Sequence, residues 1–315
     1  MPSIRILYIG GVGRSGSTVL STLLGNHPSI ESVGELTNLP RRGWINNEYC
    51  ACGERCSICS FWSKVRAEWV KSIGFDDIER YLALQNTFES MNFQSMKSFL
   101  CWLRLFRERM NGSPQFQAYS EWTCALFQTI CSVSKKSIIV DSSKNPVRAL
   151  ALSMMPEIDV YLIHLVRDGR GVAHSLKKAY KQHQKGGIEE TLQAWPVWKT
   201  AIFWSDVNLQ SELLRSQFDP GKSIRVLYED FATNPKKTLE RIGHLIECDF
   251  DEVANAVTAG EAMKVGHAIA GNRLRMRGTV QLQADTEWID RLPVQEQNLF
   301  WLLAGWLMQQ YGYKT

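Results

Sequence analysis

The sequence predicts an α/β fold, a parallel sheet flanked by helices with a helical insertion placed early in the chain. Three observations carry this. Short apolar, β-branched runs recur along the 315 residues and are separated by segments of helical period. The first of these runs ends in glycines and passes at once into a helix. A long stretch after it keeps helical period and shows no strand pattern.

The elements follow in order. "IRILYIGG" (4–11) is short, β-branched and closed by glycines, so it reads as a buried strand. After Ser15-Gly16-Ser17-Thr18, the apolar positions Val19, Leu20, Leu23 and Leu24 have helical spacing. From about 60 to 133 the apolar residues, Trp62, Val65 and Trp69 and then Phe99, Trp102, Leu103 and Phe106, mark the faces of helices, and this is the insertion. "KSIIVDSSK" (136–144), "IDVYLIHLVRD" (158–168) and "KSIRVLYED" (222–230) are three further strands. A long amphipathic helical region with Trp195, Trp198 and Trp204 lies between the last two. Strands alternating with helices imply a doubly wound parallel sheet with ligands at the carboxyl ends of its strands. No repeat, low-complexity tract or linker interrupts the chain, so residues 1–315 are expected to form a single domain.

Composition narrows the function classes. Apolar residues make up 44% and charged residues 22%, as in a globular protein, and the net charge of +4 is too small for a nucleic-acid footprint. The apolar run after Met1 is too short for a signal or membrane-spanning segment, so a cytoplasmic protein without a membrane span is expected. In such a compartment the eight cysteines are free thiols or metal ligands before they are disulfides.

The first chemical constellation is the loop Gly11 to Thr18. Gly11 and Gly16 occupy the two glycine positions of G-x-x-x-x-G-K-[ST], but Ser17 stands where that pattern needs lysine. A glycine-rich loop leading into a helix offers backbone N–H groups and the positive helix end to an anion. Ser15, Ser17 and Thr18 add hydroxyls, and Arg14 adds a forked cation. This density of donors disfavours an ordinary strand-to-helix turn. Without the lysine, triphosphate chemistry is disfavoured, whereas binding of a single phosphate keeps its support. The second constellation, "LVRDGRGVAHSL" (165–176), carries Arg167 at a strand end and Ser175 in the following helix, which can converge on a second anion. A structural ion pair of Arg167 with Asp168, with Arg170 as solvated surface, is the alternative.

Together these residues resemble a known superfamily. "GVGRSGSTVLSTLL" is similar to the 5′-phosphosulfate loop of sulfotransferases that use 3′-phosphoadenosine-5′-phosphosulfate (PAPS), and "LVRDGRGVAHSL" to their 3′-phosphate motif. "LYEDFATNPKKTLERI" (227–242) resembles their Y-E-x-L-x-x-x-P segment. The likeness runs from about 10 to 245 and is nearest to tyrosylprotein sulfotransferases and related bacterial enzymes. It implies a P-loop-like sheet with the insertion over the acceptor site, PAPS as donor, adenosine 3′,5′-bisphosphate (PAP) as product, no catalytic metal, and a small-molecule or peptide acceptor.

Residue by residue, the resemblance makes Glu35 the general base. It follows "NHPSIESVG" in place of an H-P-x(4)-G-E-E sequence, with one extra residue in the spacer and Leu36 where the second acid stands. Such a base must reach the acceptor hydroxyl, and His27 is the lower-ranked alternative. Arg14 and Lys144, the latter in "SSKNP", would stabilise charge on the bridging oxygen and on the sulfonate. Arg14, Ser15, Gly16, Ser17 and Thr18 would bind the 5′ end of the donor, and Arg167 and Ser175 its 3′-phosphate. Tyr228 would lie against the nucleotide. In "GHAIAGNRLRMRGTV" (266–280), Arg277-Gly278 resembles the R-K-G ending of the family's late basic loop, and Arg273 is a second contact candidate.

Cys50, Cys52, Cys56 and Cys59 crowd into ten residues, as free thiols, a disulfide or a structural zinc site. The spacing is more cramped than two C-x-x-C pairs divided by a loop. Related bacterial sulfotransferases carry a similar C-x-C-G…C-x-F-W stretch, matched here by Cys50, Cys52, Gly53, Cys59 and Trp62. Two other functions are the alternatives: a kinase with a degenerate P-loop, which needs a replacement lysine and Mg²⁺ ligands that the sequence does not offer, and a non-catalytic module binding a bisphosphorylated nucleotide. The tryptophan- and phenylalanine-rich helices at 61–132 and 192–204 suggest an aromatic acceptor lining, hence a phenol, tyrosine, alcohol or natural product as acceptor.

Overall fold

Eight residues, Ile4–Gly11, form the central strand β1. Its side chains alternate between two cores: Ile4, Ile6 and Tyr8 face one and Leu7 and Ile9 the other. A strand buried on both faces has parallel neighbours, and β1 lies between β3 (Ile138–Lys144) and β4 (Ile158–Val166). With β2 (Ile30–Gly34) and β5 (Ser223–Leu227) at the edges, the parallel order is β2-β3-β1-β4-β5. The fold is an α/β sheet flanked by helices, as expected. This computed structural model describes residues 3–89, 95–178, 182–183, 185, 191 and 193–315, leaving aside the side chains of 95–98.

Helix α1 (Ser17–Gly25) returns from β1 to β2. The insertion follows as α2 (Trp62–Ile73), α3 (Ile78–Glu89), α4 (Ser95–Asn111) and α5 (Pro114–Ser134), while residues 90–94 lie outside those described. α6 (Pro146–Ser153) links β3 to β4, and α7 (Gly169–Leu176) and α8 (Val197–Arg215) link β4 to β5. Then come α9 (Tyr228–Thr233), α10 (Pro235–Ile246), α11 (Asp251–Thr258), α12 (Trp288–Arg291) and α13 (Val294–Gln310). A short antiparallel pair, β6 (Met263–Lys264) and β7 (Thr279–Val280), frames the late basic segment.

The insertion packs on the Ile6 and Tyr8 face through Trp62, Trp69, Tyr81 and Phe127, all fully buried. α1, α10 and α11 cover the opposite face, and α7, α8 and α13 form a third core around Trp204 and Phe300. Each fully buried side chain of this size contributes about 1.5–3 kcal/mol relative to exposure. Among the described residues no helix is long and apolar enough to cross a membrane.

Two expectations need correction. The strand expected over 222–230 ends at Leu227, and Tyr228 opens α9 instead of closing the strand. The helical region expected around Trp195, Trp198 and Trp204 begins only at Val197; Trp195 precedes it, and residue 192 lies outside those described. Pro196 explains the boundary, since the residue before proline is held away from helical backbone and proline itself suits a helix start.

Candidate active site

β1 turns at Gly11 and Val12 into a loop in which Arg14 has φ 71° and Gly16 has φ 88°. Gly16 is obligatory here, because a Cβ on it would lie 2.5 Å from the Tyr228 ring and its φ is left-handed. Its carbonyl accepts from Leu20 N (3.0 Å), opening α1. No side chain caps this helix and its first turn holds no acid, so its N-terminal N–H groups face the cavity side of the loop without a competing carboxylate. Ser15 Oγ is buried and makes no hydrogen bond among the described residues.

β2 delivers Glu35. Gly34 (φ 72°) sits where a Cβ would be 2.5 Å from Ile269 O, and Glu35 N donates to that same carbonyl (2.8 Å). Asn38 Nδ2 donates to Glu35 Oε2 (3.1 Å), and Lys144 Nζ, at the end of β3, donates to Glu35 Oε1. The ion pair is largely buried. Lys144 has φ 68°, a backbone state costing an L-residue about 1–2 kcal/mol. Asn145 then caps α6 by accepting from Val147 N (2.9 Å). α3 of the insertion abuts this side of the site: Thr37 Oγ1 donates to Glu89 Oε2 (2.9 Å), and Gln85 Nε2 donates to Thr37 O (3.1 Å).

β4 delivers Arg167. Its guanidinium donates to Arg14 O (3.0 Å), pairs with Asp285 (2.9 Å) and lies 4.7 Å over the Tyr228 ring. Ser175, on α7, lines the same space. Tyr228 OH donates to Gln283 O (3.2 Å) and accepts from Asp285 N (3.1 Å), fastening the late segment across the cavity. On the remaining wall, Asn272 N donates to Thr18 Oγ1 (3.3 Å), and Arg273 and Arg277 project from a short 3₁₀ turn.

The outcome is one cavity of about 950 Å³ lined by Arg14, Gly16, Ser17, Thr18, Glu35, Lys144, Arg167, Ser175, Tyr228, Arg273 and Arg277. Every strand of the five-stranded sheet contributes to it from its carboxyl end. A sequence model of the sulfotransferase family matches residues 7–252. The chain belongs to the sulfotransferase family.

One solved structure agrees at the level of fold, and two others are similar more loosely. The sulfotransferase domain of the olefin synthase of Synechococcus PCC 7002 aligns with a TM-score of 0.50 at 18% identity, over 100% of this chain and 96% of that one. The sulfotransferase domain of the curacin biosynthetic pathway gives 0.49 at 15% identity, over 100% and 99%. A sulfotransferase from Mycobacterium avium gives 0.45 at 12% identity, over 100% and 78%. A search among curated proteins returned no match.

Several expectations about this sulfotransferase change in detail. Ser15 and Gly278 do not line the cavity: Ser15 is buried behind the loop, and Gly278 is exposed and supports the β6-β7 turn by accepting from Val265 N (3.0 Å). Arg170 is not solvated surface. It is buried, pairs with Asp168 (2.8 Å) and stacks 4.6 Å from the Trp288 ring. His27 lies outside the cavity, its Nδ1 accepting from Ser29 N (3.1 Å) and its ring against Phe250. None of the tryptophans expected to form an aromatic lining reaches the cavity, because Trp62, Trp69, Trp122 and Trp204 pack helices together and Trp198 faces solvent. Arg42, in a π-helical turn (Leu39–Ile45), and Asp285 line the cavity and were missed. The adjacent Arg41-Arg42 pair so soon after Glu35 was the available signal for the first.

The cysteine cluster also rearranges. Cys50, Cys52 and Cys59 bring their sulfurs together with the Nδ1 of His267, whereas Cys56 is buried beside Gly43 and stands apart from them.

Proposed function

We propose that this sulfotransferase takes its sulfonate from PAPS and passes it to a hydroxyl acceptor, a phenol, tyrosine side chain, alcohol or natural product, with Glu35 as base. The carrying observation is convergence: groups chosen from five separate stretches of sequence for a donor with two separated phosphates line one cavity. The loop around Arg14 to Thr18 suits a 5′-phosphosulfate, and Arg167, Ser175, Arg273 and Arg277 suit a 3′-phosphate, with Tyr228 against the nucleotide. The missing P-loop lysine fits a donor without a triphosphate.

In this reading the acceptor oxygen attacks sulfur while the S–O bond to the 5′-phosphate breaks. The acceptor proton passes to Glu35, and PAP leaves with the bond's electron pair. Lys144 and Arg14 counter the charge that grows on the bridging oxygen, preorganised cations being worth most where water is excluded. The Lys144 contact holds the Glu35 carboxylate in place until an acceptor hydroxyl displaces it.

The test is incubation with labelled PAPS and a panel of peptides, phenols, alcohols and sugars. Wild-type protein is expected to label one class, and PAP to raise its thermal midpoint. Glu35→Gln is expected to lose turnover by roughly 100-fold or more while the PAP shift is retained. No shift with PAP and no labelled acceptor would overturn the reading; a Glu35→Gln variant that still turns over would remove Glu35 from it.

A further inference from the structure

Four potential metal ligands from two distant segments meet at one point: Cys50, Cys52 and Cys59 from the loop before α2, and His267 from the segment before β7. All four donor atoms lie within 4.8 Å of one another. Cys52 Sγ is 3.6 Å from Cys59 Sγ, and His267 Nδ1 is 3.4 Å from Cys59 Sγ and 3.7 Å from Cys50 Sγ. Zinc at ordinary bond lengths, ~2.3 Å to sulfur and ~2.0 Å to nitrogen, sets tetrahedral edges of roughly 3.8 Å between sulfurs and 3.5 Å between sulfur and nitrogen. The three edges just given lie close to these values, and the remaining ones are no longer than 4.8 Å. They also exclude a disulfide in this arrangement, since bonded sulfurs stand ~2.0 Å apart.

The surroundings are those of a built site. Cys50 and Cys59 are fully buried. The turn carrying Cys50 and Cys52 is closed by Gly53 N donating to Cys50 O (3.0 Å), with Gly53 at φ 90°, and Cys59 N donates to Arg55 O (2.8 Å). The His267 ring is fixed by stacking on Phe61 (5.1 Å between centroids), and its carbonyl accepts from Trp62 Nε1 (2.7 Å). Arg275 donates to Tyr49 O (2.8 Å), tying the late segment to the residue before Cys50.

We propose that Cys50, Cys52, Cys59 and His267 bind one Zn²⁺ as a closed, structural Cys₃His site. Three thiolates and one imidazole are a soft, tetrahedral donor set that selects zinc, and four protein ligands leave no position for substrate. Binding releases the three thiol protons to solvent and engages His267 through Nδ1, its remaining proton on Nε2. Cys56 takes no part.

The metal would staple residues 50–59 to the segment that builds one wall of the cavity. Ala51 N donates to Ala268 O (3.1 Å), Ile269 N to Val33 O (2.9 Å), and Glu35 N to Ile269 O (2.8 Å). Two residues beyond His267, therefore, the staple grips the strand that presents Glu35.

The deciding experiment is metal analysis of the full-length protein purified without added metal, together with a thiol count and mass spectrometry of the native sulfurs. About one zinc per chain is expected. Cys59→Ser and His267→Ala are expected to lose it and to drop the thermal midpoint by roughly 5 °C or more. Cys56→Ala is expected to retain it. Cobalt substituted for zinc should give thiolate charge-transfer bands and the intense visible absorption of a tetrahedral centre. Wild-type protein that holds no zinc, even after refolding with it, overturns the proposal. So does a bound iron centre, a disulfide within the three cysteines, or loss of zinc in Cys56→Ala. The metal count is read without PAPS or an acceptor, so its failure is distinct from failure of the sulfuryl-transfer reading.

Discussion

Arg14 and Lys144, the two cations nearest the expected chemistry, both stand on backbone that L-residues avoid, at φ 71° and 68°. Such strain persists where the surroundings over-determine it, and it clusters at functional sites. Stability and activity should therefore separate at Arg14. Glycine there removes roughly 1–2 kcal/mol of backbone strain and gives back a comparable unfolded-chain entropy. Arg14→Gly is accordingly expected to keep its thermal midpoint within a few degrees while turnover falls by about 100-fold. A variant that loses both together would mean that the side chain holds the loop and does not act on the transferred group. The same scale explains an error of reading. Cys56 and His267 are indistinguishable by local sequence from a ligand and a loop residue respectively, and only the fold, which joins Cys50 and His267 across 217 residues, exchanges their roles.

Among the elements, α3 and β3 are joined by a buried polar network beneath the site. Arg148 Nε donates to Asp141 Oδ2 (3.0 Å), and its Nη1 donates to Glu89, which also accepts from Tyr119 OH. Ser143, one residue before Lys144, donates N–H to Asp141 Oδ1 (2.9 Å) and accepts from Thr37 N (3.0 Å) through its hydroxyl. Arg148, Glu89 and Asp141 are all essentially inaccessible to water. Removing the cation would strand two carboxylates, so Arg148→Met is expected to cost about 3–5 kcal/mol, read from denaturant unfolding at neutral pH. A loss below about 1 kcal/mol would show that water or proton uptake relieves the pair. None of this was visible in sequence. The long strands were legible because their apolar runs are buried on both faces, but β2 was missed, since Glu31 and Ser32 break its pattern and only four of its residues pair. The cavity residues were legible because loops after strands carry chemistry in short motifs. The aromatic lining was misjudged because a tryptophan in a helix looks the same whether it faces a ligand or another helix.

At the scale of the molecule, Glu212 ties α8 to two strands. It accepts from Arg225 (2.6 Å) on β5 and Arg215 (2.8 Å), and lies 3.1 Å from His164 Nδ1 on β4. Burial alone would raise its carboxyl pKa, but the His164 hydrogen bond and charge and the Arg225 contacts outweigh that and pull it from 4.5 to about 2. A depressed acid contributes stability that is fully present above its unfolded pKa and is lost as pH falls through the folded one. The stability gap between wild type and Glu212→Gln is therefore expected to be constant above pH 4.5 and to close toward pH 2, as followed by thermal melts across that range. A gap that stays flat throughout would place its origin in packing. The cavity wall has a consequence for how the chain becomes active. The anion loop precedes its facing wall by a long stretch of chain, since Thr18 meets Asn272 only across 254 residues. Contacts of such separation are late and slow to close. A nascent chain would hold its sheet and its glycine loop well before it could hold its donor, so competence would arrive in one step with the segment from Ala262 to Asp285.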